Sequence, residues 1–174
     1  MTVYPIRLGR VAEVEYLREI EVLAGAIFTE HGMAAIADDE PPDVEILTLY
    51  CAEERLWVAT DEHDLPIAYI IVDALDKSGH IEQVSVHPDY AGMRIGSALI
   101  DQALQWAAEN GYESVTLTTF LEIPWNAPYY ERLGFEIIPE QDWSPGLIRI
   151  RTEENTHGLD RWPRVCMRKR VATL

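Results

Sequence analysis

IEQVSVHPDYAGMRIGSALI, residues Ile81 to Ile100, decides how this chain is read. Val84, Ser85 and Val86 have the pattern of a short strand, His87-Pro88-Asp89-Tyr90 that of a turn, and Ala91-Gly92-Met93-Arg94 that of a glycine-bearing loop. A helix opening with Ile95, Gly96 and Ser97 follows. Ile95, Leu99, Ala103, Trp106 and Ala107 recur at helical spacing, so it is expected over Arg94 to Glu109, stopped by Asn110-Gly111. A loop feeding a helix gathers unpaired backbone N–H groups where the helix dipole favours negative charge, which makes a phosphate cradle. Gly92 and Gly96 alone do not establish one, because loops before helices also use glycine for turn geometry.

A second motif lies downstream. SVTLTTF (Ser114 to Phe120) is strand-like, and PWNAPYYERLGF (Pro124 to Phe135) follows it. The order strand, phosphate loop, helix, strand and short Tyr-Glu-Arg-Leu-Gly-Phe helix resembles the GNAT family, the acetyl-CoA-dependent N-acetyltransferases. The resemblance runs from the opening YPIRLGR strand to the closing VCMRKRV strand. It implies an α/β fold: a mixed, mostly antiparallel twisted sheet of about seven strands flanked by helices. It also implies one N-acetyltransferase domain over 1–174.

The family's phosphate loop usually reads Gln/Arg-x-x-Gly-x-Gly/Ala. Here Ala91 replaces the polar opener and Arg94 the first glycine of the pair. Backbone N–H groups do most of the binding in such a loop, and the Arg94 guanidinium could add a charge-assisted phosphate contact. By resemblance the cofactor, acetyl-CoA as co-substrate, is held by Val84, Ser85, Val86, Ala91, Gly92, Met93, Arg94, Ile95, Gly96 and Ser97. The strand residues would pair through their backbone with the amides of the pantetheine arm, as an added strand does. Val84 and Val86 suit a buried central strand equally. Asn126 takes the place of the family's cofactor-contacting asparagine, although it lies only four positions before Tyr130.

Acetyl transfer from a thioester to an amine needs proximity, a deprotonated amine and a stabilised thiolate. Tyr130 occupies the tyrosine of the family's (Phe/Tyr)-Tyr-x-x-x-Gly-Phe motif, which implies proton donation to the departing thiolate; Tyr129 reads as packing. Period-2 alternation puts His80, Glu82, Val84 and Val86 on one strand face. Branches of the family carry acid–base residues at positions equivalent to His80 and Glu82, so both are candidates for the amine's base. An exposed strand carboxylate and a turn imidazole are the plain alternatives. His87, before Pro88, reads as structural. For the acceptor, Glu21 borders the apolar stripe of the first helix, and Glu122 and Trp125 sit in the loop before the tyrosine helix.

Composition narrows the partners. Lys and Arg number 14 against 30 Asp and Glu, a net charge of −16, and seven of the basic residues lie between Arg149 and Arg170. An acidic body of this kind disfavours nucleic acid and anionic membranes and favours cationic ligands. No apolar run reaches the ~20 residues of a membrane span and no signal pattern opens the chain, so a cytoplasmic enzyme is expected. Cys51 and Cys166 lack metal-ligand spacing and read as buried apolar residues, and no metal is expected. The sequence does not decide between a monomer and a homodimer.

The remaining pattern places strands at Tyr4 to Leu8, Leu56 to Thr60, Ile67 to Leu75, His80 to Val86, Phe135 to Pro139 and Val165 to Val171. Helices are expected at Val11 to Phe28, Val44 to Glu54, Ala127 to Leu133, and from the Ser144-Pro145 cap towards Gly158, with Thr29 to Asp43 as loop or broken helix. The function that follows is transfer of an acetyl group from acetyl-CoA to a primary amine of a small cationic acceptor by direct attack. Alternatives are a protein or peptide N-acetyltransferase and a non-catalytic acyl-CoA-binding module. A nicotinamide dehydrogenase is excluded, since no third glycine completes a G-x-G-x-x-G fingerprint.

Overall fold

The computed structural model describes residues 2–172. By contacts the chain divides into two compact units, one holding the residues up to Val72 with Glu82–Gln102, the other Asp73–Ile81 with the chain from Ala103 onward.

In the first unit the strand β2 (Leu56–Thr60) is buried at every position, as a continuous apolar run covered on both faces must be. It pairs antiparallel with β1 (Ile6–Leu8) and with β3 (Pro66–Leu75). The β2–β3 turn is an Asx device: Asp61 Oδ1 accepts from the N–H of His63 at 2.8 Å and of Leu65 at 3.0 Å. The expected first helix is split into a 3-10 turn (Val11–Glu13), α1 (Val14–Gly25) and a second 3-10 stretch (Ala26–His31). Gly32, at φ 72°, then turns the chain in the left-handed region that glycine favours. The Thr29 to Asp43 segment contains the single turn α2 (Ala34–Ala37), and α3 (Val44–Ala52) follows.

Val14, Leu17 and Ile20 of α1 and Leu47 of α3 pack on Leu56, Val58, Tyr69 and Ile71 of the sheet. Each such aliphatic side chain contributes ~1.5–3 kcal/mol by burial. Leu17→Ala should therefore cost about 2–5 kcal/mol.

The second unit is built on β5 (Ser114–Phe120), which pairs antiparallel with β7 (Arg164–Arg170); β7 in turn carries the short β6 (Glu136–Ile137). β6 is shorter than the expected Phe135 to Pro139 because Phe135 N is engaged on Tyr130 O and Pro139 has no N–H to offer, while Ile138 N still bonds Cys166 O of β7. β4 (Ser78–Val86) meets β5 in parallel register at Gly79↔Val115 and His80↔Thr116. Gly79 is required there, since a Cβ would lie 3.1 Å from Trp106 and 3.3 Å from Ala107. The helices are α5 (Ala127–Arg132) and α6 (Pro145–Thr156), the latter capped by Ser144, whose Oγ accepts from Leu147 N. Leu75, Ile138, Leu147 and Cys166 form a core.

Helix α4 (Ile95–Glu109), β3 and β4 contribute residues to both units. Among the described residues seven strands form one sheet in the order β1-β2-β3-β4-β5-β7-β6, mostly antiparallel with one parallel pair. Cys51 is half-buried rather than buried, and both cysteines are free.

Candidate active site

The expected strand–loop–helix passage lies within the first unit. Residues 82–86 of β4 run into the 3-10 turn Pro88–Tyr90, then through Ala91 to Arg94 into α4. Ala98 N donates to Arg94 O, the first bond of the helix, so helix geometry leaves the N–H groups of Ile95, Gly96 and Ser97 without intrahelical acceptors. Ala91, Gly92, Met93 and Arg94 are exposed, Ile95 is buried, and Gly96 and Ser97 are half-buried on the first turn.

Gly92 and Arg94 both take positive φ, 75° and 61°. Arg94 therefore keeps the left-handed backbone of the glycine that it replaces, which costs an L residue ~1–2 kcal/mol. Aromatic packing holds the loop. Tyr4 donates to Met93 Sδ at 3.3 Å and meets the Tyr90 ring edge-on at 5.8 Å. His87 accepts from Asp89 N through Nδ1, and its backbone N–H donates to Ile67 O at 2.8 Å. No sequence signal marked Tyr4 as a support of this loop.

On β4 the expected common face divides by burial. Glu82 is exposed and Val84 and Val86 are half-buried, while His80 is 2% exposed. His80 Nδ1 lies 2.8 Å from Thr116 Oγ1, and burial pushes its imidazole down to about 4 against the opposing charges of Asp73 and Glu154. An imidazole that acid is neutral near neutral pH and a weak proton acceptor. The Ser85 side chain is buried and accepts from Gln83 Nε2 at 2.8 Å, so only its backbone is left for a cofactor.

Glu21 on α1 is half-buried and accepts a 2.7 Å hydrogen bond from the fully buried Tyr69 phenol of β3. Burial raises the carboxyl above its usual range; the Tyr69 bond opposes that. Sequence reading missed Tyr69, because a tyrosine inside the apolar run IAYIIV looks like any core aromatic.

In the second unit Tyr130 is 8% exposed, stacked edge-on against Tyr129 at 5.4 Å and Phe135 at 5.7 Å. Its hydroxyl has no hydrogen-bond partner among the described residues and is not fully enclosed, so it reaches solvent. Burial, with Tyr129 adding to it, raises the phenol above its ordinary value, and the group keeps its proton. Asn126 is the N-cap of α5 by position only: its side chain makes no capping bond, and the half-buried amide is left for other partners. Glu122 is exposed and Trp125 half-buried in the preceding loop. Among the described residues no cluster of His, Cys, Asp or Glu could hold a metal ion, and no helix is long and apolar enough to cross a membrane.

Comparison with known proteins adds a family to this geometry. The model of the acetyltransferase (GNAT) family matches residues 20–135. An uncharacterized N-acetyltransferase of Methanocaldococcus jannaschii is 39% identical over 70 residues, 40% of this chain and 30% of that protein. The peptidyl-lysine N-acetyltransferase YjaB of Escherichia coli is 24% identical over 93 residues, 53% of this chain and 57% of that one. The chain thus matches less than two thirds of the length of either curated relative. The crystal structure of the PaiA N-acetyltransferase of Thermoplasma acidophilum in complex with coenzyme A superimposes with a TM-score of 0.69 at 15% identity, covering 97% of this chain and 99% of that one, a likeness of fold.

Proposed function

The chain belongs to the GNAT acetyltransferase family, and from that premise we propose that residues 1–174 act as one N-acetyltransferase domain. It moves an acetyl group from acetyl-CoA to a primary amine by direct attack. The observation that carries this reading is the β4–loop–α4 passage, whose first helical turn presents the N–H groups of Ile95, Gly96 and Ser97 beside the left-handed Gly92 and Arg94. The pyrophosphate sits on those N–H groups, and the backbone of Val84 to Val86 takes the pantetheine amides. The half-buried Asn126 amide, free of a capping bond, adds a cofactor contact.

The amine nitrogen attacks the thioester carbonyl carbon, and the carbon–sulfur bond breaks as the new carbon–nitrogen bond is completed. The proton lost by the amine goes to the exposed Glu82 carboxylate, directly or through water. Tyr130 gives its phenolic proton towards the departing thiolate and recovers one from solvent. His80, enclosed and neutral, shapes this end of β4 rather than serving as the base. A net charge of −16 favours a small cationic acceptor, for which Glu21 in the first unit and Glu122 and Trp125 in the second are the candidate contacts. The peptidyl-lysine N-acetyltransferase among the relatives favours a second reading, a lysine side chain of a protein as acceptor.

CoA and acetyl-CoA should raise the melting temperature by mass action, and an amine screen following free thiol should find the acceptor. Gly96→Asp adds bulk and negative charge at the first turn of α4 and should abolish the thermal shift. A folded Gly96→Asp protein that binds CoA as tightly as wild type overturns the site.

A further inference from the structure

Three polar groups of the first unit lead towards one carboxylate. Gln83 Nε2 donates to Ser85 Oγ at 2.8 Å, Ser85 interacts with the Tyr69 phenol, and Tyr69 donates to Glu21 Oε2 at 2.7 Å. Ser85 and Tyr69 are enclosed, whereas Glu21 stands half-buried at the end of the series. Tyr69 is the one hydrogen-bond donor that the Glu21 carboxylate has among the described residues, and it occupies a single oxygen. The second oxygen is not enclosed and reaches solvent without a partner.

A donor locked onto one oxygen favours the anion and so opposes the rise that burial imposes on the Glu21 carboxyl. It suits a fixed counter-charge. The charged and titratable groups around Glu21 are Tyr69 on β3, Asp39 just after α2, and Arg18 one turn earlier on α1. Arg18 Nε is engaged on Pro42 O at 2.9 Å, and Asp39 adds to the negative potential. A reacting amine must be neutral when it attacks, so a carboxylate counter-charge gains most from a cation that keeps its charge throughout the reaction.

We propose that Tyr69 is a positioning residue that holds Glu21 as the anchor for a second cationic group of the acceptor, distinct from the amine that is acetylated. The acceptor class is then a small diamine or polyamine rather than a monoamine. This rests on the acetyltransferase reading given above.

The test measures binding of 1,4-diaminobutane and of butylamine to the CoA-saturated protein by calorimetry, in wild type, Glu21→Gln and Tyr69→Phe. Wild type should bind the diamine at least about tenfold more tightly, the worth of one charged hydrogen bond. Glu21→Gln should remove that preference and leave the CoA-induced thermal shift in place. Tyr69→Phe should keep the preference at high pH and lose it at a higher pH than wild type as pH falls, since Glu21 without its donor protonates more readily. A role confined to packing would leave that midpoint where it was. A wild type with no CoA shift overturns the acetyltransferase reading itself. A normal CoA shift with equal affinity for the two amines, or a preference that survives Glu21→Gln, overturns the anchor alone.

Discussion

His80 on β4 and Thr116 on β5 form an enclosed pair across the parallel strands, with Nδ1 and Oγ1 2.8 Å apart. Both residues are nearly inaccessible, and burial holds the imidazole at about 4 against its ordinary 6.5. A group with a depressed folded pKa binds its proton first in the unfolded chain. Its contribution to stability is therefore complete above pH 6.5 and is lost as pH falls through the window down to about 4. The loss over that window should approach ~3 kcal/mol. Urea denaturation at several pH values, in wild type and His80→Gln, checks it: the wild-type curve should fall more steeply below pH 6.5. Parallel curves would mean that His80 is not held neutral.

The ion pairs of the second unit predict a stability effect unrelated to catalysis. Glu154 accepts from Arg164 at 2.9 Å, from Arg151 at 2.9 Å and from Thr118 at 2.6 Å, and Arg164 lies 4.4 Å from the Phe120 ring centroid. Burial lowers the Arg164 pKa and Glu154 opposes the shift. Glu154→Ala leaves a mostly enclosed guanidinium without its counter-charge, at a cost of about 3 kcal/mol. Chemical denaturation would show this, and the CoA-induced thermal shift should persist in the destabilised protein.

Most of the element order was legible in the sequence, because hydrophobic period and punctuation agree along β2, α4 and β5. The breaks in the first helix were not. Val11 to Phe28 carries one apolar stripe throughout, and no proline separates the 3-10 turns from α1. The phosphate loop was visible from Gly92 and Gly96, but the left-handed backbone of Arg94 was hidden by its side chain. Alternation put His80 and Glu82 on one strand face and said nothing of depth, which the packing of Thr116 on His80 decides. Tyr69 was invisible as a polar residue because its partner Glu21 lies 48 positions away.

Arg94 sets two properties against each other. Arg94→Gly removes a left-handed penalty of ~1–2 kcal/mol and gives back ~0.4–1 kcal/mol through the freer unfolded chain. The ligand-free protein should gain roughly 0.5–1 kcal/mol, visible as a higher melting temperature. The same change removes a guanidinium that would face the cofactor phosphates, so the shift produced by saturating CoA should shrink. An undiminished CoA shift would leave Arg94 with a backbone role only.

Tyr130 gives the most direct test of the chemistry. Phe at this position keeps the ring that packs on Tyr129 and Phe135 and deletes a hydroxyl with no protein hydrogen bond to lose. Stability and CoA affinity should therefore barely change. Proton donation matters only as the carbon–sulfur bond breaks, so the loss should fall on kcat and leave KM near its wild-type value. General acid catalysis contributes ~10²–10⁴-fold, and a drop towards the lower end is expected, because a phenol held above its ordinary pKa is a reluctant acid. Tyr129→Phe, on the half-buried neighbour, should change turnover far less. Steady-state kinetics with chemistry shown to be rate-limiting decide the matter: an unchanged kcat in Tyr130→Phe would take the proton donor away from this residue.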